Sequence, residues 1–157
     1  MNSDHLNIYN NLIKLTRNKN LYYSLKNKDT FSDRLIVFMF HFSFFLKTYK
    51  KEMTSDYSQK FFDFVVRQIE LSIREIGYGD VSVNKKMKEY VNLFYSILEK
   101  IENWDSLENT RKIALIADFI NINEDDDLIV NYFNKYNEIL LNNSFKIFIK
   151  EIIEIKF

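Results

Sequence analysis

The near absence of helix breakers constrains the fold of this chain more than any other feature. Its 157 residues contain no proline and only two glycines, Gly77 and Gly79. Proline lacks a backbone N–H and glycine costs backbone entropy, so these residues are the main interrupters of helices. Apolar residues make up 46% of the chain, which is ample for a core at this length. We therefore predict an all-α fold, a single compact domain over residues 1–157 with about six to seven helices.

The run from Leu35 to Leu46 predicts the central helix. It is apolar nearly all round, which is typical of a buried helix. Asp29-Thr30 precedes it, and the oxygens of these side chains accept the free N–H groups of a helix's first turn. We expect this helix to run to about Lys51. The apolar run is shorter than the roughly 20 residues that a membrane-spanning helix needs.

The next helix has the clearest amphipathic pattern, from a cap at Thr54-Ser55-Asp56 to about Ile76. Charged side chains recur on its polar face one turn apart, which predicts the ion pairs Asp63–Arg67 and Glu70–Arg74. Gly77 follows, and it suits the left-handed residue that ends many helices.

The remaining helices follow from polar caps and apolar periodicity. The predicted starting points are Ser3 or Asp4 for the first helix, Ser82 for the fourth and Asp105 or Ser106 for the fifth. The acidic stretch from Glu124 to Asp127 is expected at the N-terminus of the sixth helix, where the helix dipole favours it. Phe145 to Phe157 is expected to form a short final helix.

Composition and charge exclude several classes of function. The 22 basic and 22 acidic residues give a net charge of zero, whereas nucleic-acid binding normally needs a basic excess. There is no cysteine, and the first residues show no basic segment followed by an apolar one, so we expect no export signal. No catalytic triad, nucleotide motif or metal-ligand set is visible. We therefore predict that the protein is not an enzyme, needs no cofactor or metal, and binds no nucleic acid.

Two features leave alternatives open. His41 lies among phenylalanines and is either a core histidine bonded to a neighbouring helix or a contact for a partner or ligand in an apolar groove. Lys85, Lys86 and Lys88 form either a solvated face or a contact for anionic lipid or an acidic partner, since each lysine near an anionic membrane adds on the order of 1 kcal/mol.

Several motifs in the middle of the chain resemble the ubiquinol-cytochrome C chaperone family over roughly residues 20–100. The most specific is the turn Ile73-Arg74-Glu75-Ile76-Gly77-Tyr78-Gly79-Asp80, followed by Val83 and Lys85-Lys86-Met87-Lys88. Further matches are Asp29 to Arg34, Phe40-His41-Phe42 and Gln59 to Asp63. The family's phenylalanine-tyrosine-glycine-arginine element appears here as Phe94-Tyr95-Ser96-Ile97, without the glycine and the arginine.

This resemblance implies a non-enzymatic assembly factor for respiratory complex III that binds newly made cytochrome b. It implies a cytoplasmic protein, peripherally associated with an anionic inner-membrane surface, and it leaves a second assembly factor open as a further partner. The partner-binding residues carried over from the family are His41, Asp63, Arg74, Glu75, Asp80, Lys85, Lys86 and Lys88. Gly77 and Gly79 are carried over as structural residues of the turn, with backbone conformations that a Cβ would forbid.

Two other hypotheses remain at this point. One is a helical protein–protein interaction module of unrelated purpose, with only its fold in common with the family. The other is a protein that binds haem or a small molecule through His41.

Overall fold

The computed structural model describes residues 3–26 and 30–150, and within them it is helical with no strand. The seven helices are α1 Ser3–Thr16, α2 Phe31–Tyr49, α3 Ser55–Glu75, α4 Asp80–Ile101, α5 Asn109–Ala117, α6 Leu128–Asn142 and α7 Phe145–Lys150. Short 3-10 turns lie at Lys19–Tyr22, Lys50–Glu52 and Trp104–Ser106. The all-α prediction is confirmed.

Helix α2 is the centre of the fold. The Oγ of Thr30 caps it by accepting a hydrogen bond from the Asp33 N–H at 3.1 Å. Every residue from Leu35 to Phe45 is buried, and α1, α4 and α6 pack against the helix. The predicted all-round burial is therefore confirmed. One hydrophobic core draws on all seven helices, with Ile8, Phe44, Phe61, Phe94, Leu115, Phe133 and Phe148 among its members.

Helices α3 and α4 form a hairpin on the outside of this core. Thr54 caps α3 as predicted, because its Oγ accepts a hydrogen bond from the Tyr57 N–H at 3.1 Å. Along its 21 residues α3 fully buries only Phe61, Val65 and Ile73. The rest of α3 is left partly or fully exposed, so the hairpin offers surface rather than core.

Two predicted helix starts are wrong. Helix α4 begins at Asp80 with Gly79 as its cap, so Ser82 lies inside the first turn. Helix α5 begins at Asn109, because Trp104 is buried and its indole N–H donates to Asn134 at 3.0 Å, which holds the preceding residues in a 3-10 turn.

Two predictions reach beyond the described residues. Asp29, the other predicted cap of the central helix, lies outside them, as does the predicted continuation of the last helix over residues 151–157. None of the described helices combines the length and the apolar character that crossing a bilayer requires.

Candidate functional site

The turn between α3 and α4 reverses the chain in four residues. Helix α3 is closed by hydrogen bonds from Ile76 N–H to the Ile73 carbonyl, 3.2 Å, and from Gly77 N–H to the Arg74 carbonyl, 3.0 Å. Gly77 has a φ of 104°, the left-handed conformation that the sequence predicts. Gly79 differs from expectation, because its φ of −72° is ordinary for any residue and a Cβ there would meet no atom within 4 Å. Only Gly77 is therefore required by its backbone conformation.

A clasp of charged side chains bridges this turn. The guanidinium of Arg74 donates to the carboxylates of Asp80, at 2.5 Å, and Glu70, at 3.5 Å. Arg67 also pairs with Glu70, and its hydrogen bond is the main reason that the pKa of the Glu70 carboxyl is lowered. Exposed pairs of this kind contribute little to stability. The predicted Glu70–Arg74 pair is confirmed, and Arg74 and Asp80 are brought together.

The other acidic residues of the predicted site lie apart from the clasp. Asp63 is exposed on α3, about 16 Å along the helix from Arg74 at 1.5 Å per residue. It accepts a hydrogen bond from the Gln59 amide at 2.9 Å, so the predicted pair with Arg67 is wrong. Glu75 is exposed at the end of α3.

The turn and the start of α4 expose apolar side chains beside lysines. Ile76, Tyr78 and Val81 are 51%, 41% and 85% exposed. Lys85 and Lys88 follow Val81 by four and seven residues, so all three share one outward face of α4. The amine of Lys86 lies 4.9 Å from the centroid of the Tyr78 ring. We call residues 74–88 the hairpin tip.

Sequence reasoning identified the lysines of the hairpin tip but missed its apolar residues. Ile76 is only the predicted end of the amphipathic helix, and Val81 has no predicted role. The sequence does carry a signal for Val81. Val83 and Phe94 belong to the inward face of α4, and Val81 lies two residues from Val83, on a different side of the helix.

His41 lies in the core, not at the hairpin tip. Its side chain is fully buried, and α6 packs beside it with three aromatic rings, those of Tyr132, Phe133 and Tyr136. Its Nδ1 is 2.9 Å from the Val37 carbonyl oxygen, and its Nε2 is 2.5 Å from the Tyr132 hydroxyl. The tautomer that satisfies both contacts has Nδ1–H donating to Val37 and the Tyr132 hydroxyl donating to Nε2. The core alternative for His41 is confirmed.

The chemistry of His41 follows from this position. Burial lowers the pKa of His41 to about 3, so the ring is neutral near pH 7. With both nitrogens hydrogen-bonded, the ring offers no open position to haem iron. Among residues 3–26 and 30–150, no group of three or more acidic or histidine side chains is placed to hold a metal ion.

A groove of about 430 Å³ opens next to the hairpin tip, between α1, α2 and α3. Its walls are mainly apolar, with Tyr9, Ile13, Leu35, Phe38, Ile69 and Ile76 among them. Arg17, Arg34 and Glu75 line it as well, and all three are exposed. Because Ile76 belongs to both, the groove is continuous with the hairpin tip.

This helical fold exposes apolar and basic side chains together at the turn between α3 and α4, a pattern that favours a protein that acts by binding a partner. The sequence profile of the ubiquinol-cytochrome C chaperone family matches residues 24–109, more than half of the chain. The chain belongs to this family of complex III assembly chaperones and is non-enzymatic. No curated protein and no solved structure matches the chain.

Proposed function

We propose that this chaperone holds newly made cytochrome b at the cytoplasmic face of a bacterial inner membrane while complex III is assembled. The observation that supports this most is the hairpin tip, where Ile76, Tyr78 and Val81 are exposed beside Lys85 and Lys88. Such a surface suits the boundary between anionic headgroups and acyl chains, where apolar side chains insert and lysines meet phosphates.

The strength of this membrane contact can be estimated from its parts. Lys85 and Lys88 add on the order of 1 kcal/mol each near an anionic surface. Burying the exposed fractions of Ile76 and Val81 adds about 2–4 kcal/mol, since full burial of such a side chain is worth about 1.5–3 kcal/mol. A total on the order of 5 kcal/mol gives weak, reversible attachment, which suits a chaperone that must leave its client.

The acidic residues of the predicted site are proposed to bind the client. Cytoplasmic loops of membrane proteins carry an excess of lysine and arginine. Asp63 and Glu75, exposed along α3, are complementary to such loops. The Arg74–Asp80 clasp bridges the turn that separates these acidic residues from the lysines. We propose an indirect role for His41, which fixes α6 against α2 and so supports the surface.

A second assembly factor would need a separate surface. Tyr95 is 52% exposed and stacks on Phe62 at 5.8 Å between ring centroids. It lies about 15 Å along α4 from Lys85, at the helical rise of 1.5 Å per residue. We propose this aromatic pair as the contact for such a factor.

Flotation with lipid vesicles tests the membrane contact. We expect the protein to float with vesicles that contain phosphatidylglycerol and to stay behind with pure phosphatidylcholine. The double variant Lys85→Glu/Lys88→Glu should bind the anionic vesicles at least tenfold more weakly, because it loses two attractions and gains two repulsions. The matched control is Lys50→Glu/Lys51→Glu, the same change at exposed lysines after α2. The proposal would be contradicted if both double variants lost the same amount of binding to anionic vesicles. It would also be contradicted if the wild-type protein bound phosphatidylglycerol-containing and pure phosphatidylcholine vesicles equally.

A further inference from the structure

We infer that the groove between α1, α2 and α3 binds a single anionic phospholipid, with one acyl chain along its apolar wall and the phosphate at Arg17. This inference rests on the proposed membrane contact and names a ligand for the surface beside it. The occupant follows from three properties of the groove: its size, its charge and its position.

The size of the groove favours a thin chain over a helix. A helix about 10 Å wide with a pitch of 5.4 Å occupies on the order of 420 Å³ per turn. The groove, at about 430 Å³, is comparable to one such turn, so it can enclose a thin chain but not a membrane-spanning segment of the client. Its volume lies within the range of about 300–1,000 Å³ that is typical of sites for small ligands.

The polar groups of the groove favour an anionic headgroup. Two arginines and one glutamate line it, and the positive charge of Arg17 opposes the rise that burial imposes on the pKa of Tyr9. Arg17 and Tyr9 both line the groove, so the guanidinium and the phenol are available to the same phosphate. With two arginines against one glutamate, the groove suits an anionic headgroup better than a basic loop of the client.

The smaller polar groups of the groove leave its wall apolar. The hydroxyls of Thr16 and Ser72 line the groove, but each donates to a carbonyl of its own helix, Leu12 at 2.9 Å and Gln68 at 3.0 Å. An acyl chain can therefore cover them without leaving a donor unpaired. Because Ile76 lies in both the hairpin tip and the groove, a lipid can enter sideways from a docked membrane.

Titration of the full chain with dioctanoyl-phosphatidylglycerol, kept below its micelle concentration, tests this inference by calorimetry. We expect one molecule to bind per chain, at least tenfold more tightly than dioctanoyl-phosphatidylcholine and than inorganic phosphate. Arg17→Glu should weaken binding at least tenfold. Arg111→Glu, the same change at an exposed position on α5 outside the groove, should leave it unchanged.

A second variant keeps the test independent of charge. Ser72→Leu fills the groove from the exposed helix α3 and should weaken binding while leaving the melting temperature unchanged. The inference is overturned if the soluble lipid does not bind, if Arg17→Glu binds it as wild type does, or if a crosslinker at Ile13 captures cytochrome b in place of lipid.

Vesicle flotation separates the two proposals. If the wild-type protein floats with the vesicles but binds no soluble lipid, the membrane contact is supported and the groove site is refuted. If the wild-type protein binds the soluble lipid but does not float, the groove site is supported and the membrane contact is refuted.

Discussion

Replacing Gly77 with alanine tests how the hairpin tip is held in place. The residue has a φ of 104°, and a Cβ built there meets nothing within 4 Å, so the cost lies in the backbone alone. A non-glycine residue in such a sparsely populated region costs roughly 1–3 kcal/mol. Alanine also lowers the conformational entropy of the unfolded chain, which stabilises the folded state by about 0.4–1 kcal/mol. We expect a net loss of about 1–2 kcal/mol in the free energy of unfolding.

Gly79→Ala is the matched control two residues away. Both variants add one methyl group, and a Cβ at either glycine meets no atom within 4 Å, but the φ of Gly79 is −72°. Alanine is a poorer helix cap than glycine by roughly 0.5–1 kcal/mol, and the entropy gain of about 0.4–1 kcal/mol offsets this. We expect the stability of Gly79→Ala to lie within about 0.5 kcal/mol of wild type.

Urea denaturation followed by circular dichroism at 222 nm measures both variants. In thermal melts, the melting temperature of Gly77→Ala should fall by about 2–8 °C, since 1 kcal/mol corresponds to roughly 2–4 °C for a domain of this size. Gly77→Asn should fall between wild type and alanine, because asparagine tolerates left-handed conformations better. Equal losses for Gly77→Ala and Gly79→Ala would refute the assignment of the strain to Gly77.

Three further changes test the core and the caps. Tyr132→Phe leaves the buried Nε2 of His41 without a donor and should cost about 1–3 kcal/mol in urea denaturation; an unchanged midpoint would show that this hydrogen bond is not formed. Because the pKa of His41 is lowered to about 3, the unfolded chain binds more protons than the folded chain below about pH 6.5. Stability should therefore fall by up to about 1.4 kcal/mol per pH unit from pH 6 to pH 5. Burial also lowers the pKa of His5, so the difference between wild type and His41→Gln isolates the part due to His41, and parallel pH profiles would contradict it. Thr54→Ala removes the cap of α3 and should cost about 1 kcal/mol, whereas Thr54→Ser should cost far less; equal losses would exclude the cap.

Local signals in the sequence were enough to predict most of the helices. Thr30 and Thr54 cap helices within three residues of themselves, and Gly77 ends one, so neighbouring residues contain the needed information. The start of α4 escaped prediction because its cap is the backbone of Gly79, whose carbonyl accepts from Val83 N–H at 2.9 Å. Rules that look for a side-chain oxygen select Ser82 instead.

The candidate site was only partly predictable because its residues meet through tertiary contacts. The position of His41 depends on Tyr132, 91 residues away, and no local pattern pairs them. The groove brings Arg17, the residue after α1, to the same cleft as Glu75 of α3. The resemblance to the family singled out the turn and the lysines, whereas the exposure of Val81 follows only once the register of α4 is known.

Site-specific crosslinking in cells tests the proposed role most directly. A photoreactive amino acid replaces Leu71, which is 39% exposed on α3 between Asp63 and Glu75, and in a second strain it replaces Asn131, which is exposed on α6. We expect the Leu71 position to crosslink to cytochrome b while complex III is being assembled, and the Asn131 position to give little of that product. If cytochrome b is absent from the Leu71 product, or is captured equally from both positions, the exposed face of α3 is not the client-binding surface.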